Sequence, residues 1–157
     1  MAAKTTHPES KLQIQCVTWF KTQYPHLAPL CFAVPNGGSR NKVEASIMKA
    51  EGVTAGVSDL ILNIPADKYT QLAIEMKTEN GRQSAEQKRY QRYAEAAGIK
   101  YIICRSYEEF RIQVNIYLEA VNQATIQALY TIYQEEQRNE VERARREYSK
   151  LCNTSSK

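Results

Sequence analysis

A mixed α/β domain is the fold class this sequence predicts, on three observations. Four apolar runs have strand length: Leu30 to Val34, two within Gly56 to Lys77, and Tyr101 to Cys104. Between and around them, apolar residues recur at helical spacing, giving the order helix, strand, helix, strand, strand, helix, strand, helix. Size and composition agree, since 157 residues, 43% hydrophobic and 24% charged, suit one soluble globular domain with a real core. No apolar run reaches membrane-span length and MAAKTTHPES has no signal-peptide core, so the expectation is a cytoplasmic protein without membrane contact. Cys16, Cys31, Cys104 and Cys152 form no CxxC pair and are expected to be reduced, the first three buried. With only His7 and His26 to join them, they do not suggest a zinc site.

The first helix is expected over residues 9–23, with Leu12, Cys16, Trp19 and Phe20 on one side and Ile14 and Val17 flanking. His7-Pro8 suits its start and Tyr24-Pro25 its end. Leu30 to Val34 follows as a strand, stopped by Pro35-Asn36-Gly37-Gly38. That turn could bring backbone N–H groups close to a phosphate, with Arg40 and Lys42 beyond it, or simply join strand to helix. Asn41 to Glu51 reads as a short helix with Val43, Ile47 and Met48 inward and Gly52 as its cap.

Gly56 to Lys77 reads as two strands joined at Pro65-Ala66-Asp67-Lys68. Side chains alternate along a strand, so Leu72, Ile74 and Met76 share one face and Ala73, Glu75 and Lys77 the other. Pairing as an antiparallel hairpin would bring Asp59 beside Glu75 and Lys77. Two carboxylates at one spot suit a hard divalent cation, and a lysine beside them suits phosphodiester hydrolysis. The plain alternative is that Asp59 is a simple turn residue before a strand and the Glu-x-Lys triplet is accidental, about one chance copy being expected in a chain this long. A second copy, Glu86-Gln87-Lys88, falls on a helix, where residues two apart diverge.

Ser84 should cap a helix running to about Ala97, with Gln87 in the capping-box position and Gly98 closing it. Tyr101 to Cys104 is the last strand, and Ser106 caps a helix to about Val121 with Phe110, Val114, Tyr117, Leu118 and Val121 inward. Asn122 to Tyr148 is helical in composition, its apolar positions thinning to Ile126, Leu129, Ile132, Tyr133, Val141 and Tyr148. It could lie along the domain, pair with a second subunit or stand in solvent, and the final CNTSSK is expected to fray. Lys77 to Arg105 holds seven basic and three acidic residues, so the whole net charge of +4 resides there. That is where a polyanion would approach, although a charged helix face is most often merely solvated.

The ordered set of Glu9 and Gln13, FAVPNGG, AEGV, AGVSDL, Glu75-Met76-Lys77 and Ser84-Ala85-Glu86-Gln87 resembles the PD-(D/E)xK nuclease superfamily. More narrowly it is similar to the VRR-NUC family in its small stand-alone form, as found in phages and bacteria, over about residues 9–118. Ser58 departs from the proline of the superfamily name, a turn-shaping position. The resemblance implies a restriction-endonuclease-like core, a central four-stranded mixed sheet flanked by helices. Residues 1–121 would form the nuclease domain and 122–157 a helical C-terminal extension. It implies Mg2+ or Mn2+ held by Asp59, Glu75, the Met76 carbonyl and Glu9, with Lys77 as catalytic lysine and Gln87 steadying the site. Glu9 could instead only offset a helix dipole and Gln87 only complete a cap, or Gln87 could do both. Asn36, Gly37, Arg40, Lys42, Arg82 and Lys88 would line the DNA.

The activity implied is a metal-dependent DNA endonuclease acting on branched, flapped or four-way (Holliday) junction DNA. The alternatives are a catalytically silent DNA-binding module of the same fold and an assembly protein working through its C-terminal helix. A homodimer is also expected: a symmetric junction needs two cuts, and Leu118, Val121, Ile126, Leu129, Ile132 and Tyr133 have spacings that could form a seam, though part of that set must cover its own domain.

Overall fold

The computed structural model describes residues 8–35 and 42–154, without the side chains of residues 42 and 152–154. Four strands form one mixed sheet in the order β1 (Cys31–Ala33), β2 (Leu60–Leu62), β3 (Leu72–Met76), β4 (Lys100–Cys104). β1–β2 and β2–β3 are antiparallel, and β3–β4 is parallel. The parallel pair needs a crossover, which α3 (Ala85–Ala96) supplies.

Alternation along β3 serves both sides of the sheet. Leu72, Ile74 and Met76 join α1 (Pro8–Gln23) and α4 (Tyr107–Glu119) in the larger core, through Cys16, Phe20, Phe110, Val114 and Tyr117. Ala73 faces the opposite way and packs with Ile61, Tyr101 and Ala94 of α3 in a smaller cluster. Every residue of β3 is buried, as expected of a strand covered on both faces.

Several expectations are revised. The first strand is shorter than Leu30 to Val34, because Pro25–Leu30 winds into a 3-10 helix around buried Leu27, with Pro29 inside it. Helix α2 (Lys42–Ala50) exists, but Val43 and Ile47 are exposed, at 69% and 53%, rather than inward. Its amphipathic face finds no deep partner among the described residues. Its end is as anticipated: Gly52 has φ +100, and the Gly52 and Val53 N–H groups donate to Lys49 and Met48 carbonyls, a Schellman closure.

The tail is one helix, α5 (Gln123–Thr154), and stays helical into the segment expected to fray. Its two halves differ. Ile126 and Leu129 pack on the larger core and Tyr130 stacks edge-on against His26, whereas residues 134–151 are exposed. Of the seam residues, Leu118, Val121, Ile126 and Leu129 therefore cover their own core, leaving Ile132 exposed and Tyr133 half-buried. Cys16, Cys31 and Cys104 are buried free thiols; burial pushes Cys16 and Cys104 up to about 12 and Cys31 to about 11, so they are unreactive. The Cys152 side chain lies outside the described residues. Among the described residues no helix is long and apolar enough to cross a membrane.

Candidate active site

The register of the hairpin decides what meets what. Leu60 pairs with Ile74, so Asp59, one residue before β2, falls opposite Glu75. Its Oδ2 accepts the Met76 N–H at 2.8 Å. Glu75 is 0% exposed and its Oε1 lies 2.7 Å from the Lys77 Nζ, which is itself almost covered. The Lys77 N–H donates to the Cys104 carbonyl at 3.0 Å, continuing the β3–β4 pairing past the strand end and fixing the lysine's direction.

Gln87 reaches the same carboxylate from α3. Its Nε2 donates to Glu75 Oε1, while its Oε1 accepts the Ser84 N–H at 2.9 Å and its own N–H donates to Ser84 Oγ at 3.2 Å. The capping box is complete, and one glutamine serves both cap and site. Glu9, in the first turn of α1, accepts the Thr78 N–H at 3.2 Å, just past Lys77.

The electrostatics follow from burial. Burial raises the Asp59 carboxyl, partly offset by the Met76 N–H and Lys77 and reinforced by Glu9. Burial raises Glu75 too, with Lys77 opposing and the charge of Asp59 adding. Burial works against the Lys77 charge, but Glu75, Glu9 and Asp59 outweigh it, and the ammonium is held above its usual value. Lys77 thus answers both the buried Glu75 and the half-buried Asp59, with Glu9 close enough for its charge to be felt.

Among the described residues no three His, Cys, Asp or Glu side chains cluster as a self-sufficient metal site. Two carboxylates and a strand carbonyl are nevertheless the hard oxygen donors that Mg2+ accepts alongside water, and the raised carboxyls mark negative charge that a dication would relieve. The residues fit such an ion. Of the expected DNA contacts, Arg82 and Lys88 are exposed on the loop before α3 and on α3 itself. Asn36, Gly37 and Arg40 lie outside the described residues, as does the Lys42 side chain.

Three features escape sequence reading. Tyr101 donates its hydroxyl to Glu75 Oε2 at 3.1 Å from the neighbouring strand. Arg105 donates through Nη1 to the carbonyls of Thr78, Glu79 and Gly81, at 2.9, 3.3 and 2.7 Å, tying down the loop after Lys77. Gly56, at φ +84, presses against α3 so closely that a Cβ would come within 2.4 Å of the Glu86 backbone. A polar-tipped residue in an apolar strand is the signal for Tyr101, but only the β3–β4 register says what it touches. At Ser58, where the superfamily has proline, the hydroxyl is buried and donates to the Leu60 carbonyl at 3.3 Å.

A four-stranded mixed sheet between helices, with Asp59 opposite Glu75 and Lys77, defines a PD-(D/E)xK-like core of nuclease type. The chain belongs to the VRR-NUC domain family, whose profile matches residues 3–108. A solved structure described as a "VRR_NUC domain protein" shares this fold at TM-score 0.65 and 23% identity, covering 75% of this chain and 93% of its own. No curated protein matches the chain.

Proposed function

We propose that this chain is a metal-dependent DNA endonuclease with a preference for branched, flapped or four-way junction DNA. The observation that carries this reading is the meeting of half-buried Asp59 with buried Glu75 and Lys77 at the end of two paired strands. Asp59, Glu75 and the Met76 carbonyl would hold Mg2+ or Mn2+, with Glu9 as a further carboxylate on the approach. Bound there, the ion would polarise the phosphoryl group and lower the pKa of an attacking water. Lys77, charged at neutral pH, stabilises the added negative charge of the pentacovalent transition state. Gln87 and Tyr101 hold the two oxygens of Glu75 in fixed directions, which orients that carboxylate before substrate arrives. Arg82 and Lys88, with Asn36, Gly37, Arg40 and Lys42, receive the phosphodiester backbone.

Residues 1–121 would act as the nuclease unit and 122–157 as its helical extension. A homodimer supplies two sites for the two strands of a junction, and the exposed half of α5 carries apolar residues for it in Val141, Tyr148 and Leu151. Light scattering should then give about twice the 17.9 kDa chain mass. Truncation after Tyr133, which keeps Ile126 and Leu129 on their core, should reduce it to a monomer. The activity is tested by incubating linear, nicked, flapped and four-way DNA with the purified protein in Mg2+ or Mn2+. Metal-dependent cuts in the branched substrates are expected; no cleavage of any DNA under either metal would overturn the reading.

A further inference from the structure

Beside the candidate active site, but not part of it, lies a cavity of about 340 Å3 lined by Thr54, Ala55, Glu86, Arg89, Tyr90 and Tyr93. One wall is the flank of α3 and the other is the loop leading to Asp59. The two walls touch where Gly56 meets the backbone of Glu86 and Gln87, so the cavity abuts the residues that carry the carboxylate–lysine cluster. The two rings play different parts. Tyr90 is partly buried, 6.2 Å edge-on from Tyr101, and forms the fixed floor. Tyr93 is 67% exposed, a large aromatic left in water at the rim, with the Arg89 guanidinium 5.8 Å from its ring centre.

We propose that this cavity takes one unpaired nucleobase of the DNA strand being cut. The inference rests on the endonuclease reading and deepens it by naming the feature that selects branched over continuous duplex DNA. A nucleobase has the flat apolar face that a tyrosine at a cavity rim accepts, and such stacking tolerates any sequence. Arg89 adds a planar cation that packs on the same π faces, and Lys88 and Arg92 stand exposed on the same helix to meet the flanking phosphates. A phosphate itself is the poorer occupant, because Glu86, a negatively charged residue, is among those lining the cavity. Bases in continuous duplex remain stacked and cannot enter without an unpairing cost, while bases at a flap or branch point already have.

The test uses the full chain in EDTA, to prevent cutting, and a flapped oligonucleotide with 2-aminopurine at the unpaired junction position. Wild-type protein should quench the 2-aminopurine emission as it binds. Tyr93→Ala, at a position too exposed to threaten folding, should lose the quenching and bind about ten-fold more weakly. Tyr93→Phe should keep both, because only the ring is needed. In parallel Mg2+ reactions, Tyr93→Ala should raise KM for flapped DNA with little change in kcat. Wild type that cleaves DNA, with equal quenching and affinity in Tyr93→Ala, would overturn the base site and leave the endonuclease reading intact. Wild type that neither binds nor cleaves any DNA would overturn both.

Discussion

Two copies of one triplet sit eleven residues apart in this chain: Glu75-Met76-Lys77 at the end of β3 and Glu86-Gln87-Lys88 on α3. On the strand, the period of two puts both charges on one face, and they meet at 2.7 Å in a buried pair. On the helix the same spacing separates them, and Glu86 and Lys88 are both exposed. The middle residues reverse roles. Met76 turns its side chain into the larger core, while Gln87 turns inward to hold Glu75. Composition is therefore almost silent about geometry here; backbone period and burial decide which triplet brings its charges together and which spreads them.

That contrast can be broken at several points. The largest effect is expected from Asp59→Ala and from Glu75→Gln, each of which should bring metal-dependent cleavage to background in a plasmid-nicking assay while the protein still melts cooperatively. Wild-type nicking by either would remove the strand triplet from the mechanism. Gln87→Ala should cost about 10–100-fold in activity or metal affinity, the range for groups that orient metal-binding side chains. Ser84→Ala, which removes the hydroxyl half of the capping box but leaves the contact to Glu75, should instead lose about 1 kcal/mol of stability and little activity. Equal losses of activity in the two variants would mean that Gln87 matters only as a cap.

Gly56→Ala joins the two regions, because it must place a Cβ at φ +84 and against the α3 backbone. It should destabilise the fold by more than about 2 kcal/mol in urea titration, the left-handed backbone and the clash adding together. The smallest effect concerns charge. Both carboxyls are raised in the fold above their unfolded values, so the metal-free protein binds more protons folded than unfolded. Its stability should therefore fall as pH climbs from about 4, the unfolded carboxylate value, through the raised folded values. Asp59→Asn should soften that decline and melt above wild type at pH 7 in EDTA. Mn2+ should raise the wild-type Tm and leave the variant unmoved; an unchanged pH profile in the variant would show that Asp59 carries no such burden.

Much of this arrangement is legible in the sequence because local rules carry it. Strand alternation alone sorts Leu72, Ile74 and Met76 from Glu75 and Lys77, and Ser84 with Gln87 announces its own capping box. What was not legible depends on partners distant in the chain. The apolar stripe of α2 is real, yet periodicity cannot say that Val43 and Ile47 stay exposed. Leu118, Val121, Ile126 and Leu129 have the spacing of a dimer seam, and the same spacing serves a helix packing on its own domain. Tyr101 and Arg105 enter the site's surroundings only through the parallel β3–β4 register and the turn that follows it, both set by the α3 crossover rather than by neighbouring residues.

The central claim, that the strand triplet does chemistry and the helical one supports it, is tested most directly by comparing Lys77→Ala with Lys88→Ala. Cleavage of flapped DNA in Mg2+ should be measured from limiting to saturating substrate. Lys77→Ala should lose about 10²–10³-fold in kcat while retaining metal binding, because its charge acts in the transition state. Lys88→Ala should raise KM and approach wild-type kcat at saturation, as expected of a backbone contact on an exposed helix face. Unchanged kcat in Lys77→Ala, or a loss of kcat in Lys88→Ala as deep as that in Lys77→Ala, would contradict the account.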